Sequence, residues 1–238
     1  MSTWIVLPTY NEAENLEALL RDIRRRTTAE LLIVDDNSPD GTGRIADRLQ
    51  VQDTHLHVLH RAGKLGLGSA YRDGFRYALR QGATLVVQMD ADGSHDPALI
   101  PVLLERLRDL DLVLASRYVR GGRFPIVWYR RWVSTLGNIY IRSLLGWTVR
   151  DWSTGYKGWR ADFLRQVMSE PMTGVGYAWL MEMTWLARRR RGRIGEVPLI
   201  FRERRGGRSK FSWRIAAEDV RLAWQLARRR TLASNGKR

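Results

Sequence analysis

The feature that most constrains this chain is a rhythm. Short apolar runs end in polar residues, and each is followed by an amphipathic stretch. The runs are Trp4-Ile5-Val6-Leu7-Pro8, Glu30-Leu31-Leu32-Ile33-Val34, His57-Val58-Leu59-His60 and Thr84 to Met89. Between them, Ala13 to Arg26 carries Leu16, Leu19, Leu20 and Ile23 at helical spacing. Gly41 to Gln50 and Ser69 to Gln81 also read as helices, and Gly82 stops the last of these. A helix over Pro97–Arg108 and a strand over Leu112–Ser116 extend the pattern. Strands alternating with helices predict an α/β fold, with an open, mostly parallel central sheet and helices on both faces.

Polar residues gather where the strands end. Tyr10, Asn11 and Glu12 follow the first, Asp35 and Asp36 the second, and Asp90 and Asp92 the fourth. Any one of them reads equally as a turn or helix-cap residue. Adjacent parallel strands would bring all three groups to one sheet edge, where open α/β sheets bind ligands. Residues i and i+2 of an extended chain point the same way, so Asp90 and Asp92 converge. Two hard carboxylates there suit Mg²⁺ or Mn²⁺ shared with substrate phosphates.

The basic, glycine-rich stretch Arg61-Ala62-Gly63-Lys64-Leu65-Gly66-Leu67-Gly68 opens a helix and is suited to phosphate. It is not a Walker motif, and the first strand–helix turn lacks the dinucleotide-binding glycine pattern. This argues against a nicotinamide or flavin enzyme.

Charge narrows the partners. The 238 residues carry a net +15, but residues 1–60 hold six Arg against ten acidic residues, a net of −4, which leaves +19 for the remainder. A basic region calls for an anionic partner: nucleic acid, acidic lipid or a phosphorylated substrate. No nucleic-acid recognition motif is present, and such a module would leave the acidic strand ends unexplained. Cysteine is absent, so disulfides are excluded. The N-terminus is expected to enter its strand at once, without a signal peptide, and no apolar run reaches membrane-spanning length.

Between Phe124 and Val149 the character changes. Trp128, Tyr129, Trp132, Tyr140 and Trp147 interleave with Arg130, Arg131 and Arg142. Amphipathic helices of this composition suit an anionic membrane surface, the alternative being a helical pair packed on the sheet. Phe211 to Arg230 reads as a basic amphipathic helix, with Arg214, Arg221, Gln225 and Arg228 on one face and Trp213, Ala217, Val220 and Trp224 on another. A tail follows to Arg238.

Taken in order, these motifs resemble glycosyltransferase family 2, of GT-A (Rossmann-like) fold, and within it the dolichol- and polyprenol-phosphate mannose synthases. The resemblance runs from Ile5 to about Ser212. It implies one catalytic domain over 1–212, with a nucleotide-sugar half (1–96), an acceptor half (97–212) and a C-terminal helix and tail (213–238). It implies that Pro8, Tyr10, Glu12, Val34, Asp36 and Lys64 bind the nucleotide sugar. Asp90-Ala91-Asp92 matches the metal motif, with Ser94 as a third ligand. Ser116-Arg117-Tyr118, Arg130, Arg131 and Ser134 fall in the segment that holds the acceptor phosphate. Arg204 and Lys210, in Phe201-x-x-Arg204-x-x-Gly207-x-Ser209-Lys210, match the loop over the donor diphosphate, and Asp151 to Lys157 matches a further family element. The chain departs at Trp179-Leu180-Met181-Glu182, where many relatives have a Gln, and it lacks the C-terminal membrane helices of some members.

The implied reaction moves mannose from GDP-mannose to a dolichyl or polyprenyl phosphate with inversion, with Asp92, Arg117 and Arg130 as catalytic residues. Related transfers from UDP-glucose, or to a soluble acceptor, stay open. An acceptor phosphate is largely ionised at neutral pH, its second pKa lying near ~6, so no strong base is needed. His95 has no evident partner in the motifs. The resemblance implies a protein peripheral to the cytoplasmic face of a membrane, and leaves room for a separate membrane-anchoring subunit.

Overall fold

The computed structural model describes residues 2–123, 128–174, 176, 178–201 and 220–229, with backbone alone for 128–131. Seven strands form one sheet: β1 (Thr3–Thr9), β2 (Glu30–Asp35), β3 (Leu56–His60), β4 (Leu85–Gln88), β5 (Leu112–Ser116), β6 (Lys157–Arg160) and β7 (Ile194–Pro198), in the order β3-β2-β1-β4-β6-β5-β7. All pairings are parallel except those of β6, which runs antiparallel to β4 and β5. The expected open, mostly parallel α/β sheet is therefore observed.

Alternate residues of β1 and β2 feed two cores. Ile5, Leu7, Leu31 and Ile33 point to α1 (Leu16–Arg24), α2 (Thr42–Gln52) and α4 (Ile100–Arg106). Trp4, Val6, Leu32 and Val34 point to α3 (Leu67–Arg80), α6 (Ala161–Met168) and α7 (Ala178–Arg189). Burial on both faces explains why these strands are continuous apolar runs rather than alternating ones. Helix α3 lies so close to the sheet that a Cβ at Gly74 would stand 2.4 Å from Val6 Cγ1.

Several boundaries differ from expectation. Helix α1 begins at Leu16, because Ala13–Asn15 form a turn tied to neighbouring loops. The segment expected as one helix over 97–108 is a 3-10 turn, Pro97–Leu99, followed by α4. A single helix, α5 (Trp128–Leu145), spans the stretch expected to form amphipathic interface helices, and residues 124–127 lie outside the described ones. The helix over 220–229 packs into the second core through Leu222, Ala223 and Leu226. Of its expected apolar face, Val220 and Trp224 are exposed, and Trp213 and Ala217 lie outside the described residues.

Candidate active site

The register sets Thr9 beside Asp35, Asp35 beside His60 and Gln88 beside Lys157. The loops after β1, β2 and β4 thus share one edge with the start of β6. Asn11 and Asn37 turn these loops with φ of 59° and 55°, a left-handed conformation that asparagine tolerates. Side chains of the second loop then hold the first. Ser38 Oγ accepts from Asn11 N (3.1 Å), Asp40 Oδ2 from Ala13 N (3.0 Å) and Thr42 Oγ1 from Glu12 N (2.9 Å). Burial alone would raise the Asp40 pKa, but hydrogen bonds from Thr42 and Ala13 hold it below the ordinary value.

Asp36 is buried and anchors the glycine-rich loop. One oxygen pairs with Arg61; the other accepts from Leu65 N (3.1 Å) and Gly66 N (3.3 Å). Lys64 is thereby carried over Tyr10, its Nζ 4.1 Å from the ring centroid. Pro8 and Tyr10 are half-buried at the edge, and Glu12 Oε2 accepts from Asn15 Nδ2 (3.1 Å). Val34 is fully buried against α3, so its side chain supports this edge from within the core.

Asp90 and Asp92 lie just past β4. Asp90 Oδ1 accepts from Tyr71 OH (2.6 Å), and its Oδ2 is 3.9 Å from His95 Nε2. Asp90 N donates to His95 Nδ1 (3.0 Å), and the His95 ring stacks on Tyr156 at 4.8 Å. Asp92 is buried; its Oδ1 accepts from Ser94 N (3.0 Å). Ser94 is buried beside it and Ala91 is buried in the core. Gly155 arrives from the far side of the sheet edge, and a Cβ there would sit 3.1 Å from Asp90 Oδ2. A glycine keeps room at that oxygen. Hard oxygens around such a space fit Mg²⁺ or Mn²⁺ held jointly with a substrate's phosphates. No group of three or more His, Cys, Asp or Glu side chains among the described residues holds a metal unaided.

On the acceptor side, Arg117 leaves the end of β5 and turns to Asp151 and Ser153 Oγ, the latter at 2.7 Å. Its fork faces the protein rather than standing open as a phosphate grip. Tyr118 OH and Ser134 Oγ are 2.8 Å apart, which ties α5 to the loop after β5. Arg130 and Arg131 lie in the first turn of α5 with side chains outside the described residues, as are Arg204 and Lys210 altogether. Lys157, at the start of β6, is fully buried and donates to the Leu180 carbonyl (2.5 Å) and Thr184 Oγ1 (2.9 Å). Burial pulls its pKa down to about 7 against the opposing charges of Asp151 and Asp90.

Sequence reasoning missed Tyr71 and set His95 aside, although both contact Asp90. The signal for His95 was its place five residues beyond Asp90. Tyr71 sits on the preceding helix, and only the sheet topology brings it near.

The model for the family described as Glycosyl transferase family 2 matches residues 4–168. An undecaprenyl-phosphate mannosyltransferase of Micrococcus luteus is 43% identical over 234 residues, covering 96% of both chains. A polyprenol monophosphomannose synthase of Mycolicibacterium smegmatis is 40% identical over 216 residues, 88% of this chain and 81% of the relative. Among solved structures, a mannosyltransferase from Pyrobaculum calidifontis in complex with GDP-Man and Mn²⁺ superposes with a TM-score of 0.61 at 18% identity, covering 98% of this chain and 75% of the other. That last likeness speaks to the fold alone.

Proposed function

The chain belongs to glycosyl transferase family 2, and from that premise we propose that it transfers mannose from GDP-mannose to a polyprenyl phosphate. The observation that carries this reading is end-to-end similarity, 43% identity across 96% of both chains, to an undecaprenyl-phosphate mannosyltransferase. The site supports it. The edge formed by Pro8, Tyr10, Glu12 and the Asp36-anchored loop receives the nucleotide, with Lys64 toward its phosphates. Asp90 and Asp92 hold Mg²⁺ or Mn²⁺, with Ser94 shaping the turn between them and His95. Bound there, the ion would neutralise charge building on the departing diphosphate. Arg204 and Lys210 add positive charge to the same leaving group.

The acceptor phosphate supplies its own nucleophilic oxygen, since it is largely ionised at neutral pH with a second pKa of ~6. No side chain need remove a proton. His95 agrees with this, because its Nδ1 is spent on the Asp90 amide. Arg130, Arg131 and Ser134 on α5 meet the lipid phosphate, and the Arg117–Asp151 pair sets the loop that faces them. Direct displacement at the anomeric carbon inverts it, giving a β-linked product from an α-linked donor. The lipid acceptor implies peripheral contact with an anionic membrane surface.

The test is a donor screen with undecaprenyl phosphate as acceptor. GDP-mannose, UDP-glucose and UDP-GlcNAc are supplied in turn with Mn²⁺ or Mg²⁺, and label is followed into the lipid phase. Transfer is expected from GDP-mannose, lost in excess EDTA and in Asp92→Asn. Preferential transfer from UDP-glucose would overturn the donor, and full activity in EDTA would overturn the metal.

A further inference from the structure

We propose that Tyr71 is the positioning residue that fixes the Asp90 carboxylate for the metal ion, an inference that rests on the reading of Asp90 and Asp92 as the ion's ligands. Tyr71 is fully buried on α3, and its hydroxyl donates to Asp90 Oδ1 at 2.6 Å. The ring cannot swing away. It lies parallel to Trp179 at 6.1 Å with 5° between planes, and tilts against Phe75 at 5.8 Å. Gly68, one turn earlier on α3, permits this stack, because a Cβ there would come within 2.7 Å of Trp179 Cβ.

The other side of Asp90 is set independently. His95 takes the Asp90 amide, and Gly155 leaves space at Oδ2. With Oδ1 engaged by the phenol, rotation of the carboxylate is restrained and Oδ2 is presented to the cleft. Ligating carboxylates are commonly held by such outer hydrogen bonds, and losing one typically costs about 10–100-fold in metal affinity.

The experiment measures Mn²⁺ binding to the full chain in the presence of GDP, by electron paramagnetic resonance of free Mn²⁺, together with thermal melting. Tyr71→Phe keeps the ring in its stack and removes only the hydroxyl. It is expected to raise the Mn²⁺ concentration for half-saturation about tenfold, while the melting temperature stays near that of the wild type. Phe75→Leu disturbs the same aromatic cluster without touching the hydroxyl, and its Mn²⁺ binding is expected to stay within about twofold of wild type, well short of that loss. If the wild type binds Mn²⁺ and Tyr71→Phe binds it equally well, the proposal is overturned while the metal reading stands. Equal weakening by Phe75→Leu also overturns it, by showing a packing effect. If the wild type binds no Mn²⁺ with GDP, the metal reading falls and this proposal with it.

Discussion

Arg117 meets Asp151 through two parallel hydrogen bonds, Nε to Oδ2 and Nη2 to Oδ1, both at 2.8 Å. Asp151 is completely buried, and its Oδ2 also accepts from Arg117 N at 3.1 Å. The guanidinium holds the Asp151 carboxyl below the usual carboxylate range in spite of burial. Glu196 on β7 closes the arrangement by accepting from Asp151 N and Arg150 N, each at 3.0 Å. The Arg117–Asp151 pair ties the loop before β6 to the end of β5, and Glu196, midway along β7, ties it to that strand.

Arg117→Ala would strand a buried carboxylate, a loss of about 3–5 kcal/mol for a pair broken from one side. Replacing both partners, Arg117→Met with Asp151→Leu, should cost much less, since no charge is left unpaired. Urea denaturation of the three proteins measures this. If the double variant is as unstable as the single one, the pair is not the source of the loss.

Lys157 gives a pH signature. Its folded pKa is pulled from 10.5 to about 7 by burial. Between those values the unfolded chain holds a proton that the folded chain does not, so stability rises with pH across that window. The rise is at most about 1.4 kcal/mol per pH unit for one proton. Lys157→Met removes the effect. Wild type should therefore gain on Lys157→Met as the pH goes from 7 to 10. A difference in melting temperature that stays flat over that range would remove the argument.

Glu182 is fully buried on α7 and joins two segments. It accepts from Thr173 N (2.9 Å) and Gly174 N (2.6 Å), and Arg229 Nη1 reaches it at 3.4 Å. Among the described residues, the helix over 220–229 is held by the Arg229–Glu182 ion pair, by Arg229 Nη2 donating to Thr173 Oγ1, and by Leu222, Ala223 and Leu226. A buried leucine contributes about 1.5–3 kcal/mol, more than a half-exposed Arg is expected to add. Leu226→Ala should then loosen this helix far more than Arg229→Ala, read as faster amide exchange over 220–229. The reverse order would assign the docking to the ion pair.

The first half of the fold was legible because β1, β2 and β4 are mostly apolar runs closed by polar residues, and β3 is a short run of Leu56, Val58 and Leu59 interrupted by His57 and closed by His60. β6 and β7 were not. Lys157-Gly158-Trp159-Arg160 and Ile194-Gly195-Glu196-Val197-Pro198 carry charges and glycines, and their strand character comes from pairing with β4 and β5 rather than from pattern. The site divides the same way. Asp90 and Asp92 were readable from local spacing at a strand end. Tyr71, 19 residues earlier, and Gly155, on the antiparallel strand's approach, touch Asp90 only through topology. Arg117 was expected to grip the acceptor phosphate, but Asp151, 34 residues away, engages its fork, a contact no local pattern signals.

The membrane prediction rests on the outward face of α5. Trp132, Leu136, Ile139 and Tyr140 are exposed on it, while Asn138, Ile141 and Leu145 turn inward. Trp147, 57% exposed just beyond the helix, carries Arg142 over its ring at 4.6 Å. Among the described residues, this apolar stripe faces away from the sheet. No helix among the described residues is long and apolar enough to cross a membrane. On the proposed reading the lipid acceptor is met at the bilayer surface, where aromatic rings with arginines are favoured. Each basic residue near an anionic surface adds about 1 kcal/mol, and salt weakens that attraction. The protein should co-sediment with vesicles containing anionic lipid and be partly released by salt. Trp132→Ala with Trp147→Ala should weaken sedimentation while sparing transfer to a short, water-soluble prenyl phosphate. Equal recovery on neutral and anionic vesicles would remove the electrostatic part. No vesicle binding by the wild type would point to a soluble acceptor or to a separate anchoring partner.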